Sequence, residues 1–137
     1  MITVELTEII NSEIEVLKNI LDILDEQYKH IMEKNVFELD AIVDKMKIVN
    51  RELAEREMAR RKLIGNRNMK DIIHDSKYEQ LDKSYRKVNM LLQTIKLQKD
   101  TNELLIRQQM GFNNQILNIL NPRREIKTYN SYGNLSR

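Results

Sequence analysis

The side chains able to do chemistry are few in this sequence. His30 and His74 are its only histidines, and it has no cysteine. A metal site needs several such side chains converging, with helical ligands three or four residues apart. No second histidine stands at that spacing from either one. Phosphoryl transfer through a helical histidine calls for a lysine three residues further on, and Glu33 occupies that place after His30. The context "YKHIMEK" makes His30 a solvent-edge residue beside an apolar seam. Asp40 and Asp44 fall at helical spacing and read as a solvated face. Ser84 and Ser131 have no base near them in sequence, and no glycine-rich phosphate loop or nucleophile elbow occurs. These residues predict no catalysis, no metal and no cofactor.

One basic run, Arg51, Arg56, Arg60, Arg61, Lys62 and Arg67, raises the question of nucleic acid. Glu52, Glu55 and Glu57 interrupt it, and no aromatic side chain stands among the bases to stack on nucleobases. A salt-bridged helix face, with Glu52/Arg56 and Glu57/Arg61 as i,i+4 pairs, is the expectation, and no nucleic-acid partner. The net charge of +2 comes from interleaved acids and bases, so it creates no large field. No apolar stretch approaches the roughly 20 residues that span a bilayer, so no membrane insertion is expected. The start, "MITVELTEIINSEIEV", lacks the basic region of a signal peptide. Absence of cysteine is compatible with a reducing compartment, and the expected location is cytoplasmic.

Any functional surface must then be positioned by helices. The 137 residues include three glycines and one proline, and 5% are aromatic. With so few breakers and no tryptophan, the core must be aliphatic and Met-rich, which suits long helices packed along their length. Helix 1 is predicted over about 3–32. Ile10, Ile14, Leu17, Leu21, Leu24, Tyr28 and Ile31 form a seam at alternating spacings of four and three. Ile9, Val16, Ile20 and Ile23 form a second row, so this helix should touch two neighbours. Thr7 or Asn11 would cap a later start.

Asn35, with Glu38 three residues on, predicts the N-cap of helix 2. Its seam is Leu39, Ile42, Met46, Val49 and Leu53, and Gly65 with Asn66 ends it. One or two helical turns are expected over 69–74. Helix 3 then starts near Asp75 or Ser76 and runs unbroken to about 120, roughly 65 Å at 1.5 Å per residue. Pro122 stops it, and Gly111 weakens it by about 1 kcal/mol relative to Ala. The expected fold is all-α: an elongated antiparallel bundle of three long helices with a short extra helical segment. Residues 1–121 make the bundle domain and 122–137 a flexible C-terminal tail.

The two halves of helix 3 differ. Leu81, Tyr85, Val88, Leu92 and Ile95 make one seam. Beyond them Ile106, Met110, Leu117 and Leu120 continue that face. Leu105, Phe112, Ile116 and Ile119 form another row, turned by about 100°. Together they cover more than the ~100° stripe that a surface helix needs. Two readings stand side by side. The second row meets helix 1 or a second copy of the chain, or it offers a groove to a partner helix, with Met110 as an adaptable contact.

The segment "TNELLIRQQMGFNNQILNIL" resembles the last helix of FlgN-type flagellar export chaperones, with Asn102 before Leu104 and Leu105, then Phe112, Ile116 and Leu120. The closing "TYNSYG" is similar to the family's Thr-Tyr-x-x-x-Gly and places Thr128, Tyr129 and Gly133 in that pattern. The order of parts, with the long first helix and charged second helix, covers nearly the whole chain. The resemblance implies a cytoplasmic helical chaperone with no enzymatic activity. Its partners would be flagellar hook-associated proteins, bound at their C-terminal helical segments, and the flagellar export gate protein.

On this resemblance the client-binding residues are Leu105, Ile106, Met110, Phe112, Ile116, Leu117, Ile119 and Leu120. Tyr129 and Gly133 would dock on the export gate, with Tyr132 as the competing tyrosine. A tyrosine in a mobile tail fits such a role, since it offers a large ring and a hydroxyl at modest ordering cost. The alternative is a structural coiled-coil protein that self-associates through the same apolar rows. A homo-oligomer of the unliganded chain stays open on either reading.

Overall fold

The computed structural model describes residues 2–121. Five helices follow in order: α1 (Ile2–Met32), α2 (Val36–Ile64), α3 (Met69–Ser76), α4 (Glu79–Met110) and α5 (Asn114–Leu120). No strand occurs among the described residues. The long helices run up, down and up, so α1 and α4 are parallel and α2 is antiparallel to both. The expected all-α bundle is found.

Its centre is α1, because α1 alone has a wide apolar arc. Both rows are used: Ile10, Ile14, Leu17 and Leu24 are buried, and so are Val16, Ile20 and Ile23. One flank of this arc receives α2 and the other α4, while α2 and α4 barely approach each other. Three apolar clusters succeed one another along the axis. The first joins Leu6, Ile10 and Leu81 to Ile64 and to Met69 and Ile72 of α3. The second is the α1–α2 seam, with Val88, Leu91 and Ile95 of α4 packed against it. The third joins Ile31, Leu39 and Ile106 to Ile116 and Ile119 of α5.

Helix ends obey local chemistry. Asn35 caps α2, its side chain accepting from the Glu38 N–H at 3.1 Å. Lys34 takes φ +53° there, and the Lys34 and Asn35 N–H groups donate back to Ile31 and His30 carbonyls, a Schellman ending to α1. Gly65 closes α2 with φ +62°. Thr7 caps nothing: it lies inside α1, and its hydroxyl donates to the Thr3 carbonyl.

The structure departs from the sequence reading on α4 in three ways. Lys77 ends α3 in the left-handed region, so the last long helix starts at Glu79 rather than near Asp75. The seam also takes Leu91 rather than Leu92, which is exposed. The seam runs Leu81, Ser84, Val88, Leu91, Ile95, Gln98 and Asn102, and its polar members hid it from a search for apolar residues. Third, the helix ends at Gly111 instead of reaching residue 120. Gly111 has φ +83° and ψ −158°, a region essentially restricted to glycine. Tyr28, assigned to the α1 seam, is likewise exposed. One turn earlier, Asn102 of α4 docks on Leu24 and Gln27 instead.

Candidate functional site

The residues expected to bind a partner gather where α4 turns into α5. The turn is written in three residues. Gly111 stops α4 and donates its N–H to the Arg107 carbonyl. Phe112 bridges. Asn113 caps α5, its side chain accepting from the Ile116 N–H at 3.0 Å. A seven-residue helix is unstable alone, so α5 exists because it docks. It folds against α2 and α4 and drives Ile116 and Ile119 into the third cluster. Each such burial contributes about 1.5–3 kcal/mol.

The expected exposed row is therefore split. Ile116 and Ile119 are buried, with Ile106 beneath them, so they are not a free face of this chain. The cause is the Gly111 break, which lets α5 turn inward. Leu105, Met110 and Leu120 are partly buried at the edge of the same cluster, as is Leu117 nearby. Phe112 alone is largely exposed, at 64%. Tyr129 and Gly133 lie outside the described residues.

Sequence reasoning missed Phe37, which is 86% exposed on the first turn of α2 at the same end of the bundle. The chain has two phenylalanines and exposes both, although aromatic side chains are those that most favour burial. Met32 is also exposed beside the α1–α2 turn. The signal for Phe37 was available. It follows the cap Asn35 by two and precedes the seam residue Leu39 by two, about 200° round the helix.

Below this apolar end lies a polar layer. Asn102 is fully buried, and its amide donates to the Leu24 carbonyl and to Gln27 Oε1, both at 2.9 Å. Its oxygen accepts from Gln98 Nε2 at 2.9 Å. Further along, Ser84 donates to Asn11 Oδ1 at 2.7 Å. Glu13, nearly fully buried, accepts from Arg60 Nε at 2.9 Å. Burial pushes the Glu13 carboxyl above its ordinary range, and the attraction and hydrogen bond of Arg60 only partly offset this.

The basic run of α2 is thus structural at Arg60. Arg56 lies 3.9 Å from Glu55 rather than against the expected Glu52. The expected Glu57/Arg61 pair is not formed either. His30 is a largely covered neighbour of Glu33 and Glu38, at 3.4 and 3.8 Å. The α4–α5 end can offer an apolar, aromatic-edged surface.

Among the described residues no helix is long and apolar enough to cross a membrane. Neither a curated protein nor a solved structure matches the chain. A family model described as FlgN protein does match, over residues 1–137, and the chain belongs to this FlgN family of flagellar export chaperones.

Proposed function

We propose that the protein holds the C-terminal helical part of a flagellar hook-associated protein at its α4–α5 end and delivers it to the flagellar export apparatus. FlgN proteins bind hook-associated proteins generally. The observation that carries the finer reading is Phe112, an exposed aromatic at a helix break whose surroundings are half-buried aliphatics. Leu105, Met110, Leu117 and Leu120 would contact the client around the ring. Ile106, Ile116 and Ile119 form the floor and become contacts only where α5 shifts. Tyr129, with Gly133, docks on the export gate protein in this proposal.

The test is titration of the protein with the C-terminal segment of a hook-associated protein. Phe112→Ala should weaken binding by about 1–3 kcal/mol if the ring is a central anchor. The melting temperature should hardly change, because so exposed a ring stabilises little. Unaltered affinity in this variant would move the client elsewhere. A chain that sediments as a defined oligomer and ignores the segment would support the self-associating coiled coil instead.

A further inference from the structure

The outer face of α4 carries an apolar row that the bundle does not use. Met90, Leu97 and Leu104 are 63%, 69% and 54% exposed. They are seven residues apart, and each follows a seam residue (Val88, Ile95 or Asn102) by two. They therefore stand about 200° from the packed face, in a line that drifts only ~20° per seven residues. Thr94 and Thr101 fall between them at spacings of four and three, the pattern of a coiled-coil seam. The Thr94 hydroxyl already donates to the Met90 carbonyl at 3.0 Å, so it needs no other partner.

The charges beside the row say what covers it. Arg86 is paired with Asp82 at 3.2 Å and Lys96 with Asp100 at 3.0 Å. Lys83, Lys87 and Arg107 make no ion pair among the described residues. Lys83 lies on the row one heptad before Met90, Lys87 one heptad before Thr94, and Arg107 beside the row, three residues after Leu104. A second copy fits badly. A parallel α4–α4 contact sets each of these cations against itself, and an antiparallel one centred on Leu97 sets Lys87 opposite Arg107. Residues 122–137 fit no better, with Arg123, Arg124, Lys127 and Arg137 against the single acid Glu125.

We propose that this face docks one amphipathic helix of another protein, with an apolar residue every seven positions and acidic residues on its flanks. The proposal stands apart from the α4–α5 end and does not depend on what binds there. The apolar row supplies the contact, and the unpaired cations supply orientation and discrimination.

The probe is a labelled synthetic helix of about four heptads with Leu at a and d and Glu at e and g. Its control carries Lys at e and g. Anisotropy titration against the full chain should show binding of the acidic helix, weakened by salt, and none of the basic one. Leu97→Ser should weaken binding by roughly tenfold or more with unchanged helical circular dichroism. The double variant Lys87→Glu, Arg107→Glu should lose the acidic helix and gain the basic one. Equal binding of both helices, or of neither, overturns the proposal. So does loss of binding in Phe112→Ala with retention in Leu97→Ser, which would place the probe at the α4–α5 end. Concentration-dependent dimers abolished by Leu97→Ser would assign the row to a second copy.

Discussion

Glu13 and Asn102 are polar residues at positions that the helical seams reserve for apolar ones. Asn102 is fully satisfied by three hydrogen bonds, two of them to α1. It fixes how far α4 slides along α1, since a shift of one turn would strand a buried amide. Glu13 is less comfortable. Its native pKa is raised, chiefly by burial and against the pull of Arg60. The native state then keeps the proton over a range in which the unfolded chain has lost it, so stability from this group falls as pH rises through that range. The wild type should therefore gain more stability than Glu13→Gln on going from about pH 7 to about pH 5. Urea unfolding midpoints of both proteins at the two pH values measure this. Equal gains would mean that Arg60 fully cancels the burial.

At the scale of elements, the consequential feature is the break between α4 and α5. Apolar periodicity runs from residue 81 to 120, and by that signal one helix is expected. Two punctuation marks override it: glycine at a C-cap and asparagine at the following N-cap. Both were legible in "MGFNNQ", but a lone glycine inside a helical pattern is often tolerated. What decided the matter was burial of Ile116 and Ile119 in the third cluster as α5 folds against α2 and α4, which periodicity does not report. Gly111→Ala tests this balance. A Cβ there meets no atom, so the only penalty is backbone conformation, about 1–3 kcal/mol. The variant should run α4 through the turn, raising amide-exchange protection at Phe112 and Asn113 and uncovering Ile116 to apolar dyes. Unchanged protection would show that the docking of α5 outweighs the strain.

The whole molecule is a bundle of α2 and α4 on a shared α1, closed by α3 at one end and by α5 at the other. This layout puts the candidate client surface at the end from which residues 122–137 depart. If those residues carry the gate contact, client holding and delivery should separate. Tyr129→Ala should keep client affinity but slow export of the client and weaken binding to the gate protein. Tyr132→Ala should do neither, since Tyr129 alone keeps the family spacing to Gly133. Equal defects in both variants would indicate a diffuse aromatic contact. An undiminished export rate in the double variant would remove the role.

Composition and periodicity were enough for the helical class, the α1–α2 pairing, the Asn35 cap and the double-sided role of α1. Those features follow from local rules: few breakers, matched four–three spacings, and cap residues acting on their own helix. The order "NELLIRQQMGF" to "TYNSYG" also carried the family. Pairwise geometry decided the rest. The seam of α4 passes through Ser84 and Asn102 because Asn11, Leu24 and Gln27 of α1 satisfy their polar groups, and Gln98 bonds to Asn102 beside it. Arg60 is structural because Glu13 lies across from it, 47 residues away in sequence. Ile116 and Phe112 belong to one apolar pattern, yet one is buried and the other exposed. Which side of a helix a neighbour covers is a property of the assembled bundle, and no single helix encodes it.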